Sequence, residues 1–195
     1  MGLGGNCYTP LVEKANSDYD KLRDILQTKS LRKGDFTLSS GKKSSYYLDC
    51  RLTTMDPNGA LLIARLILQK IREEHIQAEA IGGLTLGADP IAASVAVVSA
   101  LEGTPLHAFI VRKEAKSHGM QRFIEGFDAG PGARVIVVDD VCTTGASHQR
   151  AAERAEEAGY NVVAVFCVVD REEGGSELLR KKYPFYALFT AKDLL

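Results

Sequence analysis

The chain has 195 residues, with 24 Lys+Arg against 25 Asp+Glu, a formal net charge of −1 and 45% hydrophobic residues. That length suits one domain with a core of its own, and the balanced charge excludes a protein that holds polyanions by bulk positive potential. No apolar run approaches the roughly 20 residues that span a bilayer, and the start MGLGGNCYTP lacks the basic end and apolar stretch of a signal peptide, so a cytoplasmic setting is expected.

Residues 1–16 read as a flexible N-terminus, Gly-rich and aperiodic at its start, and 17–195 as a single domain. Tyr19 to Thr28 is predicted as a short helix with Leu22, Ile25 and Leu26 on one face. Phe36–Ser39 and Tyr46–Asp49 read as two strands joined across the Ser39–Lys43 turn region. Pro57 then opens a helix with Leu61, Ala64, Leu68 and Ile71 at its apolar positions. Ala78 to Gly82 is predicted as a strand, Ala88 to Leu101 as a helix and Leu106 to Val111 as a strand. After the polar stretch Arg112–Gln121 comes the apolar strand Val135–Val138, then a helix from about Ala146 to Ala158 ended by Gly159. Val162 to Val169 is a further apolar strand, followed by a helix near Glu177–Lys182 and a strand near Tyr186–Thr190. Continuous apolar strands separated by helices predict an α/β fold with a mainly parallel central sheet covered on both faces. The first helix and hairpin (17–56) fall outside that alternation and, with the C-terminal segment, are expected to form a small N-terminal hood.

The four cysteines, Cys7, Cys50, Cys142 and Cys167, lie far apart with no CxxC or zinc-finger spacing, which reads as reduced thiols. The chemistry concentrates in Val135-Ile-Val-Val-Asp139-Asp140-Val141-Cys142-Thr143-Thr144-Gly145-Ala146-Ser147. An apolar strand ends in paired carboxylates, and a small hydroxyl-rich turn leads into a helix. Backbone N–H groups at such a helix entrance form a nest for a monoester phosphate, aided by the helix dipole. Paired acids suit vicinal ribose hydroxyls, or Mg²⁺ reached directly or through water. A capped strand-to-helix turn accounts for any one of these residues alone. No GxxxxGK[ST] or GxGxxG is present, since Gly82-Gly-Leu-Thr-Leu-Gly87 misses the second glycine, which disfavours a P-loop NTPase and a dinucleotide-binding dehydrogenase.

Val137–Ser147 resembles the phosphoribosyl-pyrophosphate (PRPP) motif of type I phosphoribosyltransferases. Arg112-Lys-Glu-Ala-Lys-Ser-His-Gly119 resembles the mobile catalytic loop of the orotate phosphoribosyltransferases. Phe36–Gly41 with Ser44–Asp49 is similar to their orotate-side segment, and Asp170-Arg171-Glu-Glu-Gly174 to their late Asp-Arg element. The likeness runs from about Leu31 to Asp193 with the motifs in order. It implies the type I phosphoribosyltransferase fold, transfer of phosphoribose from PRPP to orotate in pyrimidine (UMP) synthesis, Mg²⁺ as cofactor, and a homodimer with active sites shared across the interface. It implies no nucleic-acid or membrane partner.

By the same resemblance, Asp139 and Asp140 would hold the ribose, and Val141, Cys142, Thr143, Thr144, Gly145, Ala146 and Ser147 the 5′-phosphate. Arg112, Lys113, Lys116 and His118 would neutralise the departing pyrophosphate from a loop of the neighbouring subunit, with Lys116, His118, Asp139 and Asp140 as the catalytic set. Clustered cations closing over a leaving group are the physical means to stabilise its developing charge. Tyr47, Leu48, Thr143, Arg171 and Lys43 would face orotate, and Arg171 offers a planar fork to its carboxylate. No direct protein ligand to the metal is assigned. Two positions depart from some members of the family, Ser39 and Leu86, where those members carry lysine. Activity on another nucleobase, or a PRPP-sensing regulator without catalysis, are the alternatives.

Overall fold

The computed structural model describes residues 17–37, 43–114 and 123–195. The expectations for residues 1–16, for Ser39 and for the stretch holding Lys116 and His118 fall outside these. The first helix, α1 (Asp18–Ile25), begins where the Ser17 side chain accepts the Asp20 N–H, and it runs on into a π-helical turn over Leu26–Ser30. Leu22 and Leu26 are fully buried by this segment. Strands β1 (Leu31–Thr37) and β2 (Lys43–Leu48) pair antiparallel from Leu31 opposite Leu48 to Thr37 opposite Lys43. Both are longer than the sequence indicated, because ladder pairing carries the polar Arg32 and Lys33 that periodicity could not credit.

A four-residue helix, α2 (Arg51–Thr54), precedes α3 (Pro57–Glu73), which starts under an Asp56 cap that accepts the Asn58 and Gly59 N–H groups. The described residues of the main body build a six-stranded sheet in the order β5-β4-β3-β6-β7-β8. Its strands are β3 (Ala80–Leu84), β4 (His107–Val111), β5 (Ile124–Glu125), β6 (Arg134–Cys142), β7 (Asn161–Asp170) and β8 (Phe185–Thr190). Only the β4–β5 pair is antiparallel. Helices α4 (Ala88–Leu101), α5 (Ala146–Glu157), α6 (Gly175–Arg180) and α7 (Ala191–Leu194) complete the alternation.

Side-chain alternation along β6 divides the core. Ile136 and Val138 enter the apolar layer shared with α1, α3 and α4, while Val135 and Val137 pack with Ala151, Ala152 and Ala155 of α5. One expected core position fails: Leu61 remains 37% exposed, whereas Ala64, Leu68 and Ile71 of the same helix are buried.

Three differences from the sequence reading matter for the site. β3 (Ala80–Leu84) lies two residues later than expected because Gly83 and Leu84 continue the strand past Gly82. A methyl group at Gly82 would meet the Phe109 carbonyl oxygen at 2.0 Å, and one at Gly83 the Val138 oxygen at 2.1 Å. β6 does not stop at the acids. It pairs onward with β7, Asp139 opposite Cys167 and Cys142 opposite Asp170. Lastly α2, β5 and α7, all too short for a periodic signal, were not anticipated.

Candidate active site

The strand order places a topological switch point between β3 and β6. From β3 the chain passes through α4 to β4 on one side; from β6 it passes through α5 to β7 on the other. Ligands of open α/β sheets gather beyond the carboxyl ends of the strands at such a point. The β3–β6 ladder ends at Gly82 opposite Val137, so beyond it β6 projects Asp139 and Asp140 into a gap. A cavity of about 370 Å³ opens there.

The Leu84–Gly87 turn closes one side of the gap. Gly87 sits so near the acids that a Cβ on it would fall 2.2 Å from Asp139 Oδ1 and 2.7 Å from Asp140 Oδ1. Asp139 is 7% exposed, and its Oδ1 accepts the Asp140 N–H at 3.0 Å. Asp140 Oδ1 accepts the Val141 N–H at 2.9 Å. Burial, followed by the neighbouring Asp140 charge, pushes Asp139 up to about 8. Burial raises Asp140 as well, against the pull of the Arg51 charge. Asp89, in the first turn of α4, is itself raised by burial, and its charge adds to the load on Asp139. Among the described residues no ion pair reaches either member of the acid pair.

Past Cys142, Gly145 takes φ +78°, a left-handed conformation suited to glycine, and α5 begins at the next residue. Its first-turn N–H groups are thereby presented beside the acids, with Thr143 and Ser147 lining the same cavity. Behind this turn, His148 is buried and burial pulls it down to about 4, so at neutral pH it packs as an uncharged ring. Burial likewise pushes the Cys142 thiol up to about 12, which leaves an unreactive thiol facing the core.

Of the other residues singled out in the sequence, Tyr47, Leu48, Lys113, Val141 and Arg171 line this cavity. Arg112, Lys43, Cys142, Thr144, Gly145 and Ala146 do not. Arg112 instead pairs with Glu125 of β5 at 2.9 Å, and Lys43 stands exposed at the start of β2. Cys142 and Gly145 are buried, so of the two only the backbone could serve a ligand. Lys116 and His118 lie outside the described residues.

The cavity also has walls that sequence reasoning passed over. Arg51 lines it while pairing with Asp49, Nε to Oδ1 at 2.9 Å and Nη2 to Oδ2 at 3.0 Å. The available signal was its place three residues beyond the last residue of β2. The cavity thus combines main-chain donors at a helix entrance, a buried acid pair and three cations, Arg51, Lys113 and Arg171. It is equipped to hold a polyhydroxylated phosphate ester beside a small anion.

Comparison with known proteins places this fold. A phosphoribosyl transferase domain family model matches residues 54–192, and the chain belongs to that family. Within it the chain belongs with the orotate phosphoribosyltransferases. The orotate phosphoribosyltransferase of Synechocystis sp. (strain PCC 6803) is 47% identical over 174 residues, covering 89% of this chain and 86% of the relative. The crystal structure of the Mycobacterium tuberculosis H37Rv orotate phosphoribosyltransferase with Fe(III) dicitrate superposes with a TM-score of 0.81 at 38% identity, over 91% of this chain and 99% of that one. The structure of that enzyme in complex with PRPP superposes with a TM-score of 0.77 at 34% identity, over 91% and 99% of the two chains.

Proposed function

We propose that the chain transfers the 5-phosphoribosyl group of PRPP to orotate, giving orotidine 5′-monophosphate and pyrophosphate in pyrimidine (UMP) synthesis. One observation carries this reading: the acid pair, the helix-entrance turn and Arg171 border a single cavity. The family membership and the PRPP complex of a relative support it.

In this reading Asp139 and Asp140 accept the ribose hydroxyls, and the main chain of Val141–Ser147 donates to the 5′-phosphate. Tyr47, Leu48 and Thr143 border the base, Lys43 lies on the hairpin near it, and Arg171 takes the orotate carboxylate. At the anomeric carbon the bond to pyrophosphate breaks and a bond to the base nitrogen forms. The bonding pair leaves with the pyrophosphate, and the nitrogen loses its proton. Side chains do no covalent work, so rate comes from positioning and from neutralising the leaving group. Lys113 lines the cavity of its own chain. Arg112, Lys116 and His118 belong to the loop that serves a neighbouring subunit in a homodimer, and the turning of Arg112 toward Glu125 is compatible with that assignment.

The residues fit Mg²⁺ carried by the substrate. Among the described residues no three His, Cys, Asp or Glu side chains gather as a cage. The buried acid pair is short of positive charge, and carboxylate oxygens are the donors a hard cation takes. Asp139 and Asp140 would hold it, directly or through water, and when bound it would neutralise charge on the diphosphate. A cytoplasmic setting belongs to the same proposal. Among the described residues no helix is long and apolar enough to cross a membrane.

The test is pyrophosphate release from orotate, PRPP and Mg²⁺, with each omitted in turn. Release that needs all three supports the assignment. Release with a purine in place of orotate would move the protein to another base, and PRPP binding without release would make it a sensor.

A further inference from the structure

The segment that carries Arg171 is stitched to the phosphate-binding turn. The Arg171 N–H donates to the Cys142 carbonyl at 2.9 Å, and the Gly175 N–H to the Thr143 carbonyl at 3.1 Å. A Cβ on Gly175 would lie 2.4 Å from Gly145 N and 2.6 Å from Thr143 O, so the two segments meet backbone to backbone. Between them Glu172 takes φ +56°, with its N–H donated to Asp170 Oδ1 at 2.9 Å. This fold of the chain turns the next side chain, that of Glu173, back onto Arg171.

Glu173 Oε1 lies 2.8 Å from Arg171 Nε, with side-chain exposures of 29% and 10% for the Glu and the Arg. The Nε–H is not aligned on that oxygen and has no hydrogen-bond partner among the described residues, so the contact is one of charge rather than direction. The Tyr46 ring of β2 covers the guanidinium, its centre 4.8 Å from Cζ. Arg171 lines the cavity and Glu173 does not. The carboxylate thus holds the guanidinium from outside the cavity at its Nε edge, and among the described residues the Nη end has no hydrogen-bond partner and is left for a ligand carboxylate.

The geometry points to Glu173 as a positioning residue for recognition of the planar carboxylate base. It fixes the Arg171 fork between itself and Tyr46, so that the Nη edge is ready for a bidentate partner. The inference rests on the reading that orotate binds at Arg171. It adds a residue with no substrate contact of its own. Glu173 also offsets the Arg171 charge, so the fork is less prone to seize a phosphate of PRPP, whose other groups lie in the same cavity.

Glu173→Gln keeps the shape and removes the charge. The expected result is an orotate KM raised about fivefold with PRPP KM within about twofold, kcat at saturating orotate nearly unchanged and Tm unmoved. Orotate affinity by calorimetry should fall in step. An unchanged or lowered orotate KM would overturn the inference, the latter because Glu173 would then be a competitor of the substrate carboxylate. Orotate and PRPP KM rising together with a fall in Tm would also overturn it, as a purely structural role. Wild-type protein and Arg171→Gln are run alongside. Wild type that releases no pyrophosphate with orotate, or an Arg171→Gln variant that keeps its orotate KM, sinks the functional reading and this inference with it. Where both controls behave as expected, the Glu173 result tests the positioning role alone.

Discussion

Replacing Asp139 by Asn should make the ligand-free protein more stable and nearly inactive. The native carboxyl is 7% exposed and burial pushes it from the ordinary 3.8 up to about 8. The native state therefore keeps a proton that the unfolded chain gives up, and stability falls as pH rises from about 4 toward 8. Each unit of displacement is worth about 1.4 kcal/mol, so the ceiling on the cost at pH 7 is about 4 kcal/mol. Asn avoids that cost but still buries an amide. A net gain of about 2 kcal/mol is the working expectation, which for a chain of this length is a Tm rise of roughly 4–8 °C.

The assay is paired thermal melts of wild type and Asp139→Asn between pH 5 and pH 8.5, with initial pyrophosphate-release rates on the same samples. The Tm gap should widen with pH, because the variant lacks the Asp139 carboxyl and keeps only that of Asp140. Activity at subsaturating PRPP should drop by about a hundredfold or more, since an amide cannot ionise to the carboxylate that the ribose hydroxyls and a substrate-borne cation draw on when they bind. A variant less stable than wild type at pH 8, or a gap independent of pH, would refute the claim that burial rather than partnership governs this carboxyl. Unaltered kinetics would remove its role at the ribose.

Gly87→Ala drives a methyl toward both carboxylates of the pair, 2.2 and 2.7 Å away before relaxation, and should raise PRPP KM about tenfold while far-UV circular dichroism stays native. Lys116→Ala should lower kcat by about a hundredfold with little change in Tm, because its contact is made to charge that develops on the leaving group; near-normal turnover would remove the loop's catalytic role. His148 is held down to about 4 from its ordinary 6.5, so wild type should lose up to roughly 3 kcal/mol as pH falls from 6.5 to 4. In His148→Leu that part of the acid limb should vanish in pH-dependent denaturation.

Much of the parallel sheet was legible because its strands are buried on both faces and read as unbroken apolar runs, as in Val135–Val138 and Val162–Val169. α4 was read to its observed ends, since Pro90 in its first turn and Gly103 beyond its last mark both boundaries. The hairpin was underread because β1 carries Arg32, Lys33 and Asp35, which mimic a loop until a partner strand is supplied. The same limit applied at Asp139 and Asp140, where pairing with β7 continues under polar side chains. The paired acids and hydroxyl-rich turn single out Asp139, Asp140, Thr143 and Ser147, the family resemblance adds Arg171, and all five border one cavity. Arg51 and Glu173 escaped because their significance is relational. Neither has a spacing of its own, and each matters through the charge it faces.

The cost of the acid pair and the stitching of the Arg171 segment belong to one design. A site for a sugar diphosphate must hold acceptors for hydroxyls and donors for phosphate within a few ångströms, and these attract one another when no substrate separates them. Here the acids stand on a strand with their oxygens turned to backbone N–H groups, and the donors are main-chain groups at the start of α5 that cannot swing across to them. The cation on the far side of the cavity, Arg171, has a carboxylate of its own, Glu173, supplied two residues along the chain, and in the proposed reading this keeps it from collapsing onto Asp139 or Asp140. The acid pair, Arg51 and Arg171 are thus each occupied by a short-range local partner, and substrate binding exchanges those partners instead of breaking a salt bridge across the cavity. The arrangement costs stability at the acids, and it preserves an open pocket lined by both signs of charge.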